Sequence, residues 1–224
     1  MSTATPRTIL VIDGHPNPDS LTSSLAASYA DAARRAGAEV HLLTLRDLDF
    51  VPVLHQGLRG TQPLEPDLEE AQHLLTNSDH VTVFAPLWWG STPALLKGFI
   101  DRTLESKWAY HYDKRGLPHG HLAGRSTRFV MLADSPGWYL QLLQGNPTRK
   151  QMVRSTLKFC GFSPVRFTRF SPVRTSTADK RAAWHIQIAD IAEKDATDSR
   201  KSAKSKADPF AIREGLMKER ATTS

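Results

Sequence analysis

Residues 8–13, Thr-Ile-Leu-Val-Ile-Asp, run straight into Gly14-His15-Pro16-Asn17-Pro18-Asp19-Ser20 and then into an apolar-periodic stretch over 21–36. A short, β-branched run with almost no polar member reads as a strand buried on both faces, the kind a parallel sheet needs. The Gly/Pro/Asn/Asp cluster behind it reads as a loop, and Ser20 stands where a helix N-cap belongs. The loop brings backbone N–H groups, a hydroxyl and an imidazole to a helix start at the carboxyl end of a central strand, a geometry that holds phosphate. Two readings stand at this point: a phosphate-binding turn, or a plain strand-to-helix connection.

The rest of the chain repeats the unit. Gly37 suits a C-cap and 39–45 reads as a second strand; 67–77 reads as a helix feeding a third strand at 80–85. Between them, 46–66 carries several Pro and Gly and little period, as a long surface loop would, and such loops usually bind something. After 86–91 (Pro-Leu-Trp-Trp-Gly-Ser), Thr92-Pro93 opens a helix with Leu95, Leu96, Phe99, Ile100 and Leu104 at core spacing. Adjacent residues of a strand end cannot both point inward, so Trp88 and Trp89 place one ring on a cavity or else cap the sheet. Residues 106–125 read as irregular, and His111, His119 and His121 within them as exposed loop histidines, because they lack a metal-ligand spacing. A fourth strand at 127–133 ends in the small polar loop 134–138. A helix from Asn146-Pro147 through Cys160, a fifth strand at 164–170 and a helix over 177–194 complete the pattern.

Five strands alternating with helices give a three-layer α/β sandwich whose parallel sheet takes the order 2-1-3-4-5. In that order the loops after strands one, three and four converge on one crevice at the switch point. The phosphate turn, the aromatic wall and the polar loop would suit the phosphate, flat ring and heteroatoms of flavin mononucleotide. A Gly-x-Gly-x-x-Gly fingerprint is absent, against a nicotinamide-type Rossmann site.

With 224 residues, 40% hydrophobic and 23% charged, the composition suits one domain, assigned to 1–194, with a basic, mobile tail over 195–224 in which 209–220 forms a short helix on a partner. The net charge of +6 is scattered, apart from Arg200, Lys201, Lys204 and Lys206, which argues against nucleic acid as a partner. No run is long enough for membrane insertion and no secretory pattern opens the chain, so a cytoplasmic location is expected. The lone Cys160 reads as a buried structural thiol.

These motifs carry a resemblance. Gly14-His15-Pro16 with Ser20, Leu21 and Thr22, then Pro86-Leu87-Trp88-Trp89-Gly90, Pro93-Ala94-Leu95-Leu96-Lys97-Gly98, Asp101-Arg102 and Trp108-Ala109-Tyr110-His111-Tyr112 resemble the NAD(P)H:quinone oxidoreductase (DT-diaphorase-like) family of flavodoxin-like flavoproteins. The resemblance implies a flavodoxin-like fold and an oxidoreductase that passes a hydride from NADH or NADPH through the flavin to a quinone or similar aromatic acceptor, by a two-electron, substituted-enzyme mechanism. It implies FMN, with FAD as the alternative, bound at the phosphate by His15, Ser20, Leu21 and Thr22. The ring would lie against Pro86, Leu87, Trp88, Trp89 and Gly90, with their backbone N–H groups at its polar edge, and against Ser135 and Gly137. Tyr110, Tyr112 and Trp89 would form the substrate pocket of a homodimer with its site at the interface. Tyr139 is the candidate catalytic residue, and no metal is implied. Where relatives often have Thr-Thr-Gly-Gly, this chain has Asp134-Ser135-Pro136-Gly137, and a carboxylate facing a reduced, anionic flavin is unfavourable, so Asp134 should turn away or cap the next segment. The alternatives are a flavodoxin-like electron carrier, a regulatory subunit of a potassium efflux system, or a module that has kept the fold and lost the flavin.

Overall fold

A computed structural model of the chain describes residues 6–58, 60, 62–198 and 205–221. Five parallel strands form the central sheet: β1 (Thr8–Asp13), β2 (Glu39–Thr44), β3 (His80–Pro86), β6 (Ser126–Leu132) and β7 (Val165–Phe170), in the order β2-β1-β3-β6-β7. This is the expected order; the numbering differs because a short antiparallel ribbon, β4 (Tyr110–Tyr112) and β5 (Pro118–Gly120), intervenes. β3 is buried along its whole length, as a central strand between two helical layers must be.

Side-chain alternation divides the core in two. Ile9, Val11, Phe84 and Val130 pack with Leu25, Tyr29, Trp184 and Ile188 of α1 (Leu21–Arg35) and α6 (Ala178–Thr197). Leu10, Ile12, Val83, Phe129 and Met131 face Leu68, Leu96, Phe99 and Met152 of α2 (Pro66–Asn77), α3 (Ala94–Thr103) and the stretch after α5 (Pro147–Arg149). The loop before α2 is not loose: Arg102, 1% exposed, donates to Val51 O (2.6 Å) and Pro63 O (2.8 Å) and pairs with Glu65.

Several expectations are corrected. Residues 106–125 are not wholly irregular but hold the β4–β5 ribbon, and His121 is buried rather than exposed. Its Nδ1 meets Trp108 O at 3.0 Å and its Nε2 meets His111 Nδ1 at 2.6 Å. α3 starts one residue beyond Pro93, which itself sits at the cap with an extended ψ of 149°. The helix after Asn146 becomes π-helical over Lys150–Lys158. The loop after β6 is short, because α4 (Gly137–Leu142) starts inside it.

α6 carries the chain past the expected boundary at 194 without a break. Asp195 is 2% exposed, is bound by Arg128 through Nε (2.6 Å) and Nη2 (2.9 Å), and accepts from the Tyr29 hydroxyl (2.9 Å). Nor does α7 (Pro209–Ala221) wait for a partner: Phe210 stacks on His73 (4.7 Å) and meets Trp108 edge-on (5.9 Å). Arg200, Lys201 and Lys204 of the basic cluster lie outside the described residues.

Candidate functional site

The carboxyl ends of β1, β3 and β6 meet in a cleft of about 170 Å³. His15, Ser20, Leu21 and Thr22 form its first wall, Pro86, Leu87 and Trp88 the second, and Leu132, Ala133, Asp134 and Val173 the third. The three loops expected to converge therefore do so.

The first wall is built on a buried carboxylate. Asp13, 2% exposed, accepts the His15 N–H (3.1 Å) and pairs with Arg46 Nη1 (2.6 Å). Arg46, in a 3₁₀ turn (Leu45–Asp47) after β2, also donates to His15 O (3.3 Å) and Ser23 Oγ (3.2 Å), so one guanidinium braces the whole turn. The sequence reading missed Arg46. The available signal was Asp13 itself, since an acid ending a buried strand requires a counter-charge. The Gly14 N–H donates to Phe84 O at 2.9 Å, and a Cβ on Gly14 would stand 2.9 Å from that oxygen and 3.0 Å from Leu96 Cδ2. Only glycine lets β1 and β3 approach so closely here.

His15 Nδ1 accepts the Asn17 N–H (3.0 Å), which leaves the proton on Nε2. Burial lowers the His15 pKa, outweighing the opposing pull of Asp13, so the ring is a neutral donor at pH 7. The Ser20 hydroxyl accepts the Ser23 N–H (3.1 Å) and donates to Ser23 Oγ (3.0 Å). It is therefore occupied as the cap of α1, and the groups that turn outward are the first-turn amides of Leu21 and Thr22, which have no intrahelical acceptor.

In the second wall, Trp88 and Ser91 exchange both N–H···O bonds at 2.9 Å around Trp89 (φ 51°) and Gly90 (φ 74°). Positive φ at both central residues is what a type I′ turn demands. Trp88 meets His15 edge-on at 5.4 Å, whereas Trp89 is fully exposed at 104%. The implied supply of backbone donors from 86–90 is smaller than expected. Pro86 has none, Leu87 N–H donates to Leu132 O (2.7 Å) and Trp88 N–H closes the turn. Trp89 and Gly90 are what the turn can offer. Behind it, the buried Thr148 hydroxyl donates to Gly90 O at 2.5 Å and Ser91 Oγ to Gln151 Oε1 at 3.2 Å; neither Thr148 nor Gln151 was foreseen.

In the third wall, Asp134 Oδ1 accepts the Arg174 N–H at 2.9 Å, so this carboxylate caps the segment after β7. Trp89, Gly90, Ser135 and Gly137 stand beside the cleft rather than in its lining. Tyr139 is helical, on α4 beside Trp138. Tyr110 and Tyr112 pack on Phe159 (4.8 and 6.2 Å) away from the lining. Among the described residues no group of three or more His, Cys, Asp or Glu is arranged to hold a metal ion, and no helix is long and apolar enough to cross a membrane. Burial pushes the Cys160 thiol up to about 12, which makes it inert at neutral pH.

A parallel sheet in this order with a cleft at its switch point defines the flavodoxin class of α/β proteins. The model of the Flavodoxin_2 family, described as a flavodoxin-like fold, matches residues 7–194, and the chain belongs to that family. It is 28% identical over 182 residues to an FMN-dependent NADH:quinone oxidoreductase 1 of Xanthomonas axonopodis pv. citri, covering 80% of this chain and 91% of the relative. It is 25% identical over 163 residues to an uncharacterized NAD(P)H oxidoreductase of Haemophilus influenzae, covering 70% and 80%. Among solved structures, Smu.1420 from Streptococcus mutans superposes with a TM-score of 0.70 at 28% identity, covering 84% of this chain and 99% of that one.

Proposed function

We propose that the chain is an FMN-dependent NAD(P)H oxidoreductase that reduces a quinone or a similar planar aromatic acceptor and works as a homodimer. The observation that carries this is the meeting of an imidazole, two free first-turn amides, an aromatic wall and a polar rim in one cleft at the switch point. The relatives named for FMN-dependent NADH:quinone oxidoreduction support it.

The residues fit the cofactor. His15 Nε2–H and the N–H groups of Leu21 and Thr22 would hold the phosphate, Ser20 holding the helix start in place. Pro86, Leu87 and Trp88 would flank the ring, with Trp89 and Gly90 donating to its polar edge and Ser135 and Gly137 bordering the other side. A cleft of about 170 Å³ is smaller than the roughly 300–1,000 Å³ of ligand pockets, so it would take the phosphate end and the inner edge of the ring, the rest of the cofactor extending outward. Trp89, Trp138 (61%), Leu142 (75%) and Leu143 (68%) are exposed, apolar surface that a second subunit would cover. That subunit's Tyr110 and Tyr112 would wall the acceptor pocket. Bound flavin supplies the chemistry, accepting two electrons from a reduced nicotinamide and releasing them to the acceptor. The chain's own share is to fix the phosphate, exclude water and present a flat apolar slot. Tyr139 is the candidate proton donor on the α4 side.

Steady oxidation of NADH or NADPH with menadione, measured with and without added FMN, tests the reading. Turnover that depends on FMN supports it. Bound FMN without turnover would make the protein an electron carrier, and protein that takes up no flavin would end the flavoenzyme account.

A further inference from the structure

Arg169 lies near the carboxyl end of β7, on the face of the sheet shared with Val165 and Phe167, which pack toward α2, α3 and α5. Its neighbour in the alternation, Arg166, points the other way and pairs with Asp198 at 2.6 Å. The Arg169 guanidinium rests against the α-carbon of Gly137, where α4 begins. A Cβ at Gly137 would collide with Nη2 and stand 2.7 Å from Cζ and 3.2 Å from Nε. Glycine at 137 is thus explained by the guanidinium, not by backbone conformation. Arg46, Arg102, Arg125, Arg128 and Arg166 all engage carboxylates or carbonyls. Arg169 is half-buried and its backbone pairs with Met131 in the β6–β7 ladder, but its guanidinium makes no hydrogen bond or ion pair with any described residue. The carboxylate nearest along the loop, Asp134, is already engaged by the Arg174 N–H.

An uncommitted cation therefore rests against Gly137, which stands three residues past Asp134 of the third wall and beside the cleft, with space reserved for it by that glycine. Resting on the flavin reading above, we propose that Arg169 supplies the positive charge that stabilises the reduced cofactor. Two electrons taken up with one proton leave the isoalloxazine with one negative charge on its pyrimidine edge. The oxidised ring carries none. A fixed guanidinium close to that edge favours the reduced form selectively, since it gains nothing comparable from the neutral one. Arg169 would also do what the Asp134 carboxylate cannot: match the charge that develops on the ring, in place of the neutral polar loop common in relatives.

The test is a potentiometric titration of FMN bound to wild-type protein and to Arg169→Gln, Arg169→Lys and Gly137→Ala. Arg169→Gln should keep its affinity for oxidised FMN but lose about tenfold in preference for the reduced form, a fall of about 30 mV for a two-electron couple. Arg169→Lys should recover most of that fall. Gly137→Ala, which displaces the guanidinium while keeping its charge in the chain, should lower the potential in the same direction, and it serves on its own if Arg169→Gln does not fold. An unchanged potential in both Arg169→Gln and Gly137→Ala overturns the proposal. So does a raised KM for NADPH at unchanged potential, which would give the guanidinium to a nicotinamide phosphate instead. Wild-type protein that binds no FMN sinks the flavin reading and this inference with it, a result separable from the first because it appears before any variant is made.

Discussion

His80 opens β3 with a side chain 0% exposed, its Nδ1 on Ser126 Oγ at 2.7 Å and its Nε2 3.4 Å from Asp195 Oδ2. Burial lowers its pKa, outweighing the Asp195 carboxylate that would raise it; burial also lowers His15 and His121. A histidine depressed in the folded chain is protonated first in the unfolded one, near pH 6.5. Stability is therefore full above that value and falls as the pH drops from 6.5 toward the folded pKa. For His80 the slope approaches about 1.4 kcal/mol per pH unit; His15 and His121 add in the same direction. The urea midpoint should be lower at pH 5.5 than at pH 7.5, and a flat profile would contradict the assignment. At the cleft, His15→Ala should weaken FMN binding by about tenfold or more, from the loss of one hydrogen bond to a phosphate worth roughly 1.5–3 kcal/mol. Fluorescence titration measures it directly, and unchanged affinity would remove His15 from the phosphate site.

At the scale of elements, all five sheet strands were legible in the sequence: β1 and β3 as nearly continuous apolar runs, β2, β6 and β7 as short runs of branched and aromatic residues interleaved with polar ones, each between turn residues. The β4–β5 ribbon was not: Tyr-His-Tyr and Pro-His-Gly are three residues each, too short for a period of two to show. Nor could the π-helical stretch be read, since the same residues support either ring size. Asp195 was lost to composition. A single acid among Lys, Ala and Asp looks solvated, and what buries it comes from α1, β3 and β6, residues far away in the chain. Burial would raise its carboxyl, but the Arg128 and His80 side chains beside it hold it far below the usual carboxylate range. Asp195→Ala would leave the largely buried Arg128 guanidinium without its carboxylate, so the variant should lose about 3–5 kcal/mol of stability. Thermal unfolding and FMN titration together decide this. The acid sits at the amino ends of the strands, opposite the cleft, so FMN affinity should hold while the midpoint temperature drops.

At the scale of the whole molecule, the family match stops at residue 194, yet the chain beyond it returns to the domain. Ala207 N–H donates to Ala123 O (3.1 Å), Lys206 reaches Asn77 O (2.8 Å) and Asp79 (2.9 Å), and Arg125 donates to Ala207 O (2.8 Å). Phe210 closes over Trp108, itself 0% exposed, at the base of the β4–β5 ribbon. A chain ending at 198 should therefore exchange its amide hydrogens faster over 106–122 than the full chain, while the sheet strands keep their protection. Equal exchange would show the segment to be dispensable. Sedimentation would report a particle of twice the chain mass if the apolar rim around Trp89 and Trp138 is shared between two copies. That rim has an optical consequence as well. Trp89 stands wholly in water at the tip of its turn, whereas Trp108 and Trp184 are shielded. Its emission, with that of the exposed Trp138, should form the long-wavelength edge of the protein's spectrum, and if FMN binds at the cleft as proposed, titration with FMN should dim that edge first, so the protein would carry its own gauge of occupancy.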